Sequence, residues 1–138
     1  MANYRCCLIF DYGLASTGVA VGHVATAVVQ PVGVLPMHKG RPDWSKLDDL
    51  TRTWQPDVLV VGRPLQANGA QQPLTQQAEA FGQKMTQRFN LPVEWVDERY
   101  TTVDVRSDLF EEQGFKGLSK AQVDAASAVI IGQQWLRT

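Results

Sequence analysis

Short apolar runs open the chain, and segments of helical periodicity appear only after residue 43. The first runs cover residues 5–12, 18–24 and 26–34, and each has the length of a β-strand. Only residues 13–17 separate the first two runs, so we expect a hairpin there. Pro31 lacks a backbone donor, which favours the edge of a sheet for the third run. The opening pattern therefore predicts an antiparallel meander of three strands.

Two segments with apolar residues at steps of three and four follow. Asp43 is a candidate N-cap for the first segment, and Pro56 ends it. Pro73 suits the first turn of the second segment. Both predict amphipathic helices, with residues 36–43 and 63–72 as loops. The apolar positions are Trp44, Leu47, Leu50 and Trp54 in the first helix, and Leu74, Ala78, Phe81, Met85 and Phe89 in the second.

The remaining elements alternate in type. Residues 58–62 and 92–97 are apolar runs, and the first is continuous, as expected of a strand covered on both faces. Capping-box patterns predict helices over residues 101–113 and 119–136, joined by a flexible connection at residues 114–118. On the last helix, the residues expected to face the core are Ala126, Val129 and Ile130.

The element order β-β-β-α-β-α-β-α-α predicts an α/β fold. Tightly joined strands pair antiparallel, whereas strands separated by helices add in parallel. We therefore expect one domain, residues 1–138, with a mixed five-stranded sheet and helices on both faces. This arrangement resembles the RNase H-like superfamily.

Composition narrows the class of protein. Among 138 residues, 13 are basic and 14 acidic, for a net charge of −1. This balance excludes a histone-like binder but not a nuclease with an acidic site beside a basic rim. No apolar run reaches the length of a membrane span, and Asp11 interrupts the first run too early for a secretory signal. Cys6 and Cys7 are adjacent and cannot easily bridge, which favours buried thiols and a cytoplasmic location without membrane contact.

Three acidic residues lie at the ends of, or within, apolar elements, where an unpaired charge is unfavourable. Asp11 ends an apolar strand before Gly13, Glu98 follows the last strand, and Asp124 lies in a helix rich in Ala, Val and Ile. The carboxyl ends of strands are where ligands bind in open α/β sheets. Each acid also has a purely structural alternative. Asp11 could be a hairpin aspartate bonded to nearby amides, and Glu98 could lie in a charged surface turn. Asp124 could be an acid favoured by the helix dipole.

Together these acids predict catalysis assisted by a metal ion. Two carboxylates ~5 Å apart repel by roughly 3 kcal/mol at an effective dielectric constant near 20, unless a proton or cation lies between them. Oxygen ligands select Mg²⁺ or Mn²⁺. One or two such ions activate water in phosphodiester cleavage. We therefore expect Asp11, Glu98 and Asp124 to be metal ligands and catalytic residues of a phosphodiesterase acting on nucleic acid.

Four segments resemble, in order, the motifs of the YqgF (RuvX) family. They are Asp11-Tyr12-Gly13 with Gly18–Gly22, Val60–Leu65 with Asn68-Gly69 and Gln72–Thr75, Asp97–Thr102, and Lys120–Ala128. The resemblance implies an RNase H-like fold related to the RuvC resolvases. It also implies a nuclease that matures the 5′ end of pre-16S rRNA, or a Holliday junction resolvase. The family's acidic residues fall on Asp11, Glu98 and Asp124.

The chain departs from the family where substrate contacts are expected. Ala15 replaces a frequent Lys, Arg63 replaces Leu or Met, and Asn68 and Gln71 are neutral where some relatives carry an acid. Substrate-binding candidates are Gly13, Lys39, Arg41, Arg63, Arg99, Arg106, Lys116 and Lys120. Phosphate contacts would position a strand without reading its sequence. The alternative for each cation is a solvated surface charge.

Other functions stay open at this point. The Asp-x-Gly-x-x-x-x-Gly hairpin resembles the phosphate loop of actin-like ATPases and sugar kinases, although the chain is short for two such domains. A non-catalytic nucleic-acid or ribosome-associated factor is a second alternative. Junction cutting requires two symmetric sites, and we expect a monomer or weak homodimer. The resemblance favours precursor rRNA over branched DNA, with ribosomal particles as further partners.

Overall fold

The computed structural model describes residues 3–65, 68–98 and 119–138. The predicted helix at residues 101–113 and the connection at 114–118 lie outside these ranges. The described elements are β1 (Cys6–Asp11), β2 (Ser16–His23), β3 (Val28–His38), β4 (Arg41–Pro42), α1 (Trp44–Trp54), β5 (Val58–Arg63), α2 (Pro73–Phe89), β6 (Val93–Asp97) and α3 (Lys120–Leu136).

The strands form one mixed sheet in the order β4-β3-β2-β1-β5-β6. The pairs β1–β2 and β2–β3 are antiparallel, and β5 joins β1 and β6 in parallel. The predicted α/β class, the meander and the parallel additions are thus confirmed. The candidate active site lies at the edge of this sheet where β1 and the parallel strands have their carboxyl ends.

The strand count is six within the described residues, instead of the predicted five. Residues 36–43, predicted as a loop, contain the end of β3 and all of β4, with Met37 opposite Pro42 and His38 opposite Arg41. Lys39 and Gly40 connect them with φ angles of 50° and 82°. A two-residue hairpin with a type I′ turn needs positive φ at both positions, and Lys is an uncommon residue there, so the sequence signal was weak.

Pro31 lies at the sheet edge, as predicted, because β4 pairs only with the last two residues of β3. Opposite β2, the register shifts between Val19, which faces Gly33, and Ala20, which faces Pro31. The extra residue is Val32, so β3 carries a bulge beside its proline. A bulge and a proline both protect an edge strand from pairing with another chain.

Alternate residues of the central strands enter two separate cores, as the predicted helices on both faces require. Leu8 and Phe10 of β1 pack with α1 and α2, whereas Cys7 and Ile9 pack with α3. On β5, the same alternation fills both faces, with Leu59 and Val61 towards α1 and α2 and Val58 and Val60 towards α3. Asp11 continues the odd-numbered positions of β1 and therefore lies on the α3 face.

The face that α3 presents to the sheet differs in part from the predicted one. Ala125, Ala128 and Ile131 are buried against the sheet, and Ile130 is buried as predicted. Val129 is half-buried and packs against the same core, as predicted, and Ala126 is also half-buried. The predicted Ser119–Gln122 capping box is present. In the described residues, no helix is both long and apolar enough to cross a bilayer.

Candidate active site

Asp11 ends β1 in a half-buried position between two glycines. Gly18 of β2 is its antiparallel partner. On the other side, the parallel register pairs Phe10 with Val61, so the next residues, Asp11 and Gly62, are neighbours. Small residues on both sides leave space beside the Asp11 carboxylate on the face that α3 covers.

The absence of a side chain on Gly18 lets the backbone of Asp124 approach the strand beside Asp11. A Cβ atom on Gly18 would overlap the backbone carbonyl oxygen of Asp124 and lie 3.2 Å from the nitrogen of Ala125. Only glycine therefore allows α3 to approach β2 so closely, and the approach occurs beside the partner strand of Asp11. Glycine within a strand often marks such close backbone contact, which is a signal available in the sequence.

Gly62 accepts the side chain of Glu98 in the same way. Glu98 directly follows β6, and its Oε1 atom is buried. A Cβ atom on Gly62 would lie 2.6 Å from this Oε1 and 2.6 Å from Cδ1 of Ile131. The carboxyl group of Glu98 therefore lies over β5 on the α3 face, next to the strand that carries Asp11.

The carboxylate of Asp124 already has two partners. Its Oδ2 accepts hydrogen bonds from Oγ of Ser16 at 2.8 Å and from Nζ of Lys120 at 2.9 Å. Lys120 also donates to Oγ of Ser16 at 3.1 Å. The Asp124 side chain is 13% exposed and that of Lys120 76%, so the ammonium group covers the carboxylate from the solvent side. Sequence reasoning did not identify Ser16, because a lone serine in a hairpin carries no spacing signal.

The three acids converge through their backbones and elements, but their side chains do not form a closed metal cage. In the described ranges, no three His, Cys, Asp or Glu side chains are grouped tightly enough to hold an ion as they stand. The donor chemistry nevertheless fits, because Asp11, Glu98 and Asp124 offer carboxylate oxygens, the ligands of Mg²⁺ and Mn²⁺. Asp124 would have to exchange the Lys120 ammonium for the ion.

Gly13 and Arg63 both make contacts within the protein. The Gly13 amide donates to Oγ1 of Thr17 at 3.2 Å, and a Cβ atom on Gly13 would overlap the carbonyl oxygen of Ser16. The Arg63 guanidinium donates to Oε1 of Glu79 at 2.7 Å. Its Nε is buried and has no hydrogen-bond partner in the described part of the chain.

The other substrate-binding candidates divide into three groups. Lys39 and Arg41 lie exposed on the β3–β4 hairpin and form no ion pair with Asp124 or any other described residue. Lys120 is the only one of the predicted cations that contacts a predicted acid among the described residues. Arg99, Arg106 and Lys116 lie outside the described ranges.

Solved structures with a similar fold support the predicted architecture. Over 96% of this chain, T. thermophilus RuvC in complex with a Holliday junction substrate superposes with a TM-score of 0.58 at 13% identity, covering 93% of that chain. The fowlpox virus Holliday junction resolvase gives 0.59 at 15% identity, over 96% and 98% of the two chains. The fold is therefore RNase H-like, as predicted from the order of the elements.

Proteins related by sequence are much more similar to this chain than these solved structures are. A protein of Pectobacterium carotovorum subsp. carotovorum is 47% identical over 131 residues, 95% of this chain and 94% of its own. A protein of Glaesserella parasuis is 46% identical over 128 residues, 93% of each chain. Both are named "Putative pre-16S rRNA nuclease".

The chain belongs to the RuvX family, whose model, described as "Holliday junction resolvase", matches residues 5–138. The resemblance drawn from the motifs is therefore confirmed. Membership makes the protein a nuclease, a hydrolase acting on phosphodiester bonds. Nucleases of this RuvC-like fold generally use divalent metal ions.

Proposed function

We propose that this protein is a metal-dependent endonuclease that matures the 5′ end of pre-16S rRNA in the cytoplasm. The names of the 46–47% identical relatives support the substrate. The observation that carries the chemistry is the pair of glycines beside Asp11. Gly18 admits Asp124, and Gly62 admits Glu98, from elements distant in sequence. Such close packing of acid-bearing segments around a third acid is expected of a cation site.

In this proposal, Asp11, Glu98 and Asp124 hold one or two Mg²⁺ or Mn²⁺ ions. When bound, such ions activate water and offset negative charge on the leaving oxygen. Ser16 orients the Asp124 carboxylate by its hydrogen bond. Lys120 neutralises Asp124 in the free protein and, once displaced, leaves a mobile positive charge beside the site. That charge suits contact with a phosphate of the substrate.

The test incubates purified protein with Mg²⁺ or Mn²⁺ and three substrates: a pre-16S rRNA 5′ fragment, single-stranded RNA and a four-way DNA junction. Asp11→Asn removes a proposed ligand, and Asp49→Asn is the matched control, because Asp49 is an exposed acid paired with Arg52. We expect the wild type and Asp49→Asn to cleave the rRNA fragment and Asp11→Asn to be inactive. Cleavage by Asp11→Asn would contradict the site. No cleavage of any substrate by the wild type would favour a non-catalytic factor.

Branched DNA is the second candidate substrate, favoured by the description of the family model. Cutting a four-way junction symmetrically requires two sites related by a dimer axis. Faster cleavage of the junction than of the rRNA fragment, together with a dimer in analytical ultracentrifugation, would favour this candidate. The expected monomer or weak dimer favours the rRNA.

A further inference from the structure

A groove lies next to the candidate active site but on the other face of the sheet. It has a volume of about 580 Å³ between the β3–β4 hairpin and α2. Its walls include Lys39 and Arg41 from the hairpin, Gln77 and Lys84 from α2, and Tyr12 and Trp44. This volume is in the range of pockets that hold small-molecule ligands.

The groove is positively charged, although the chain has a net charge of −1. Lys39, Arg41 and Lys84 are exposed, and none of them forms an ion pair with another described residue. No acidic side chain is among the lining residues in the part of the chain that the structure describes. Three cations around one concave surface focus a positive potential that attracts a polyanion.

The walls of the groove are held in place before any ligand binds. The Tyr12 hydroxyl donates to the carbonyl oxygen of Gly40 at 2.8 Å, which ties the hairpin to the core. The Arg88 guanidinium lies 5.2 Å from the centre of the Trp44 ring. Asp48 accepts two hydrogen bonds of 2.7 Å from that guanidinium. A site with pre-positioned walls loses less entropy on binding.

The groove adjoins the acids through consecutive residues. Asp11 faces α3, and Tyr12 packs in the core on the opposite face, against Phe81 of α2. Successive Cα atoms are about 3.8 Å apart, so the groove begins one residue from the acid. A strand of nucleic acid crossing the carboxyl edge of the sheet at Asp11 therefore meets the groove.

We propose that this groove binds the sugar-phosphate backbone of single-stranded RNA away from the scissile bond, with Lys39, Arg41 and Lys84 contacting phosphates. This inference rests on the proposed function for the identity of the ligand. It adds Lys84 and the groove itself to the residues identified from the sequence. The phosphate contacts are expected to position the strand without sequence preference.

The test measures binding of a fluorescent single-stranded RNA by anisotropy in EDTA, so that neither a metal ion nor cleavage is needed. The test variant carries Lys39→Gln, Arg41→Gln and Lys84→Gln. The control carries Arg5→Gln, Lys46→Gln and Arg137→Gln, which removes the same net charge from exposed positions outside the groove. Circular dichroism checks that both variants fold, which we expect because all six side chains are exposed.

We expect the groove variant to bind at least 10-fold more weakly at 0.1 M salt, with the slope of log K against log salt reduced by about 2. The control should stay within about twofold of the wild type. Equal weakening of both variants would overturn the proposal, because it would reflect net charge alone. Competition by poly-glutamate as strong as that by unlabelled RNA would overturn it in favour of an acidic protein partner. Groove-dependent binding by a protein that cleaves nothing would support the groove and contradict the proposed function.

Discussion

The Glu98 carboxyl group packs directly over Gly62, so that a Cβ atom there would lie 2.6 Å from Oε1. We therefore expect Gly62→Ala to displace Glu98 and to abolish metal-dependent cleavage. It should also lower the free energy of unfolding by about 1–3 kcal/mol, because Cδ1 of Ile131 is equally close. Cleavage rates and urea unfolding measure the two effects.

Gly22→Ala is the matched control for this overpacking. A Cβ atom on Gly22 would lie 2.7 Å from Sγ of Cys7, at the end of the sheet away from Asp11. This variant should lose comparable stability yet retain Mn²⁺ binding in calorimetry, whereas Gly62→Ala should lose it. Normal Mn²⁺ binding by Gly62→Ala would argue against Glu98 as a ligand.

Lys120 pairs with the carboxylate of Asp124 and would therefore compete with a cation bound at the proposed site. Replacing it in Lys120→Met removes the competitor, and an exposed ion pair contributes up to about 1 kcal/mol. We therefore expect Mn²⁺ binding in the absence of nucleic acid to tighten by up to about fivefold. Titration calorimetry checks this, with Lys46→Met as the control for loss of a distant positive charge. Weaker Mn²⁺ binding by Lys120→Met would contradict the exchange.

Asp48 of α1 and Arg88 of α2 form a contact that we expect to be weakened by acid. The hydrogen bonds that Asp48 accepts from Arg88 lower the pKa of its carboxyl group. A carboxyl group whose pKa is lowered by folding stabilises the folded protein at pH values above its pKa in the unfolded chain. This contribution is lost as the pH falls through the pKa of the folded state. Asp48→Asn should therefore lose less stability than the wild type between pH 6 and pH 3.

Urea unfolding across this pH range measures the effect. Arg88→Met should reduce the acid dependence by the same amount, because it removes the partner of Asp48. The double variant should reduce it no further. Additive effects of the two single substitutions would show that they act through different contacts.

Because of Cys7, we expect the free energy of unfolding to decrease at alkaline pH. Burial, followed by the neighbouring Cys6, raises the pKa of the Cys7 thiol to about 12. The unfolded thiol ionises near pH 9, so the stabilisation present below that pH is lost between about pH 9 and 12. The slope from this one group is at most about 1.4 kcal/mol per pH unit.

Comparison of Cys7→Ala with the wild type isolates this contribution, because the other titrating groups are unchanged. The stability difference between the two proteins should narrow as the pH rises from 9 to 11. A constant difference, measured by urea unfolding, would contradict ionisation of Cys7 as its source. In the native protein, the buried thiol should also react more slowly with iodoacetamide than in urea.

Local signals were sufficient for most element boundaries. The Asp43 side chain caps α1 by accepting from the amide of Ser45, and Gln55 ends the helix in a left-handed conformation just before Pro56. Both features depend on residues within one turn of the helix end. The β3–β4 hairpin was missed because Lys39 adopts a positive φ that its own side chain does not favour.

Sequence signals pointed to the acids of the candidate site but not to the contacts that support them. Asp11, Glu98 and Asp124 stood out because each is a charge at the end of, or within, an apolar element. Ser16 and the partners of Gly18 and Gly62 did not, because those contacts join residues 36 or more positions apart in the chain. The groove around Lys84 was equally hidden, since a lysine on an exposed helical face has no distinguishing pattern.

The sequence by itself determined the order of elements, their buried faces for the most part, and the acids that end up at one edge of the sheet. These follow from periodicity, capping and turn chemistry, which act over a few residues. Tertiary structure alone decided how closely α3 approaches β2, which partners hold the Asp124 carboxylate and which cations surround one groove. These properties depend on distances between segments far apart in the chain, and no local pattern encodes such distances.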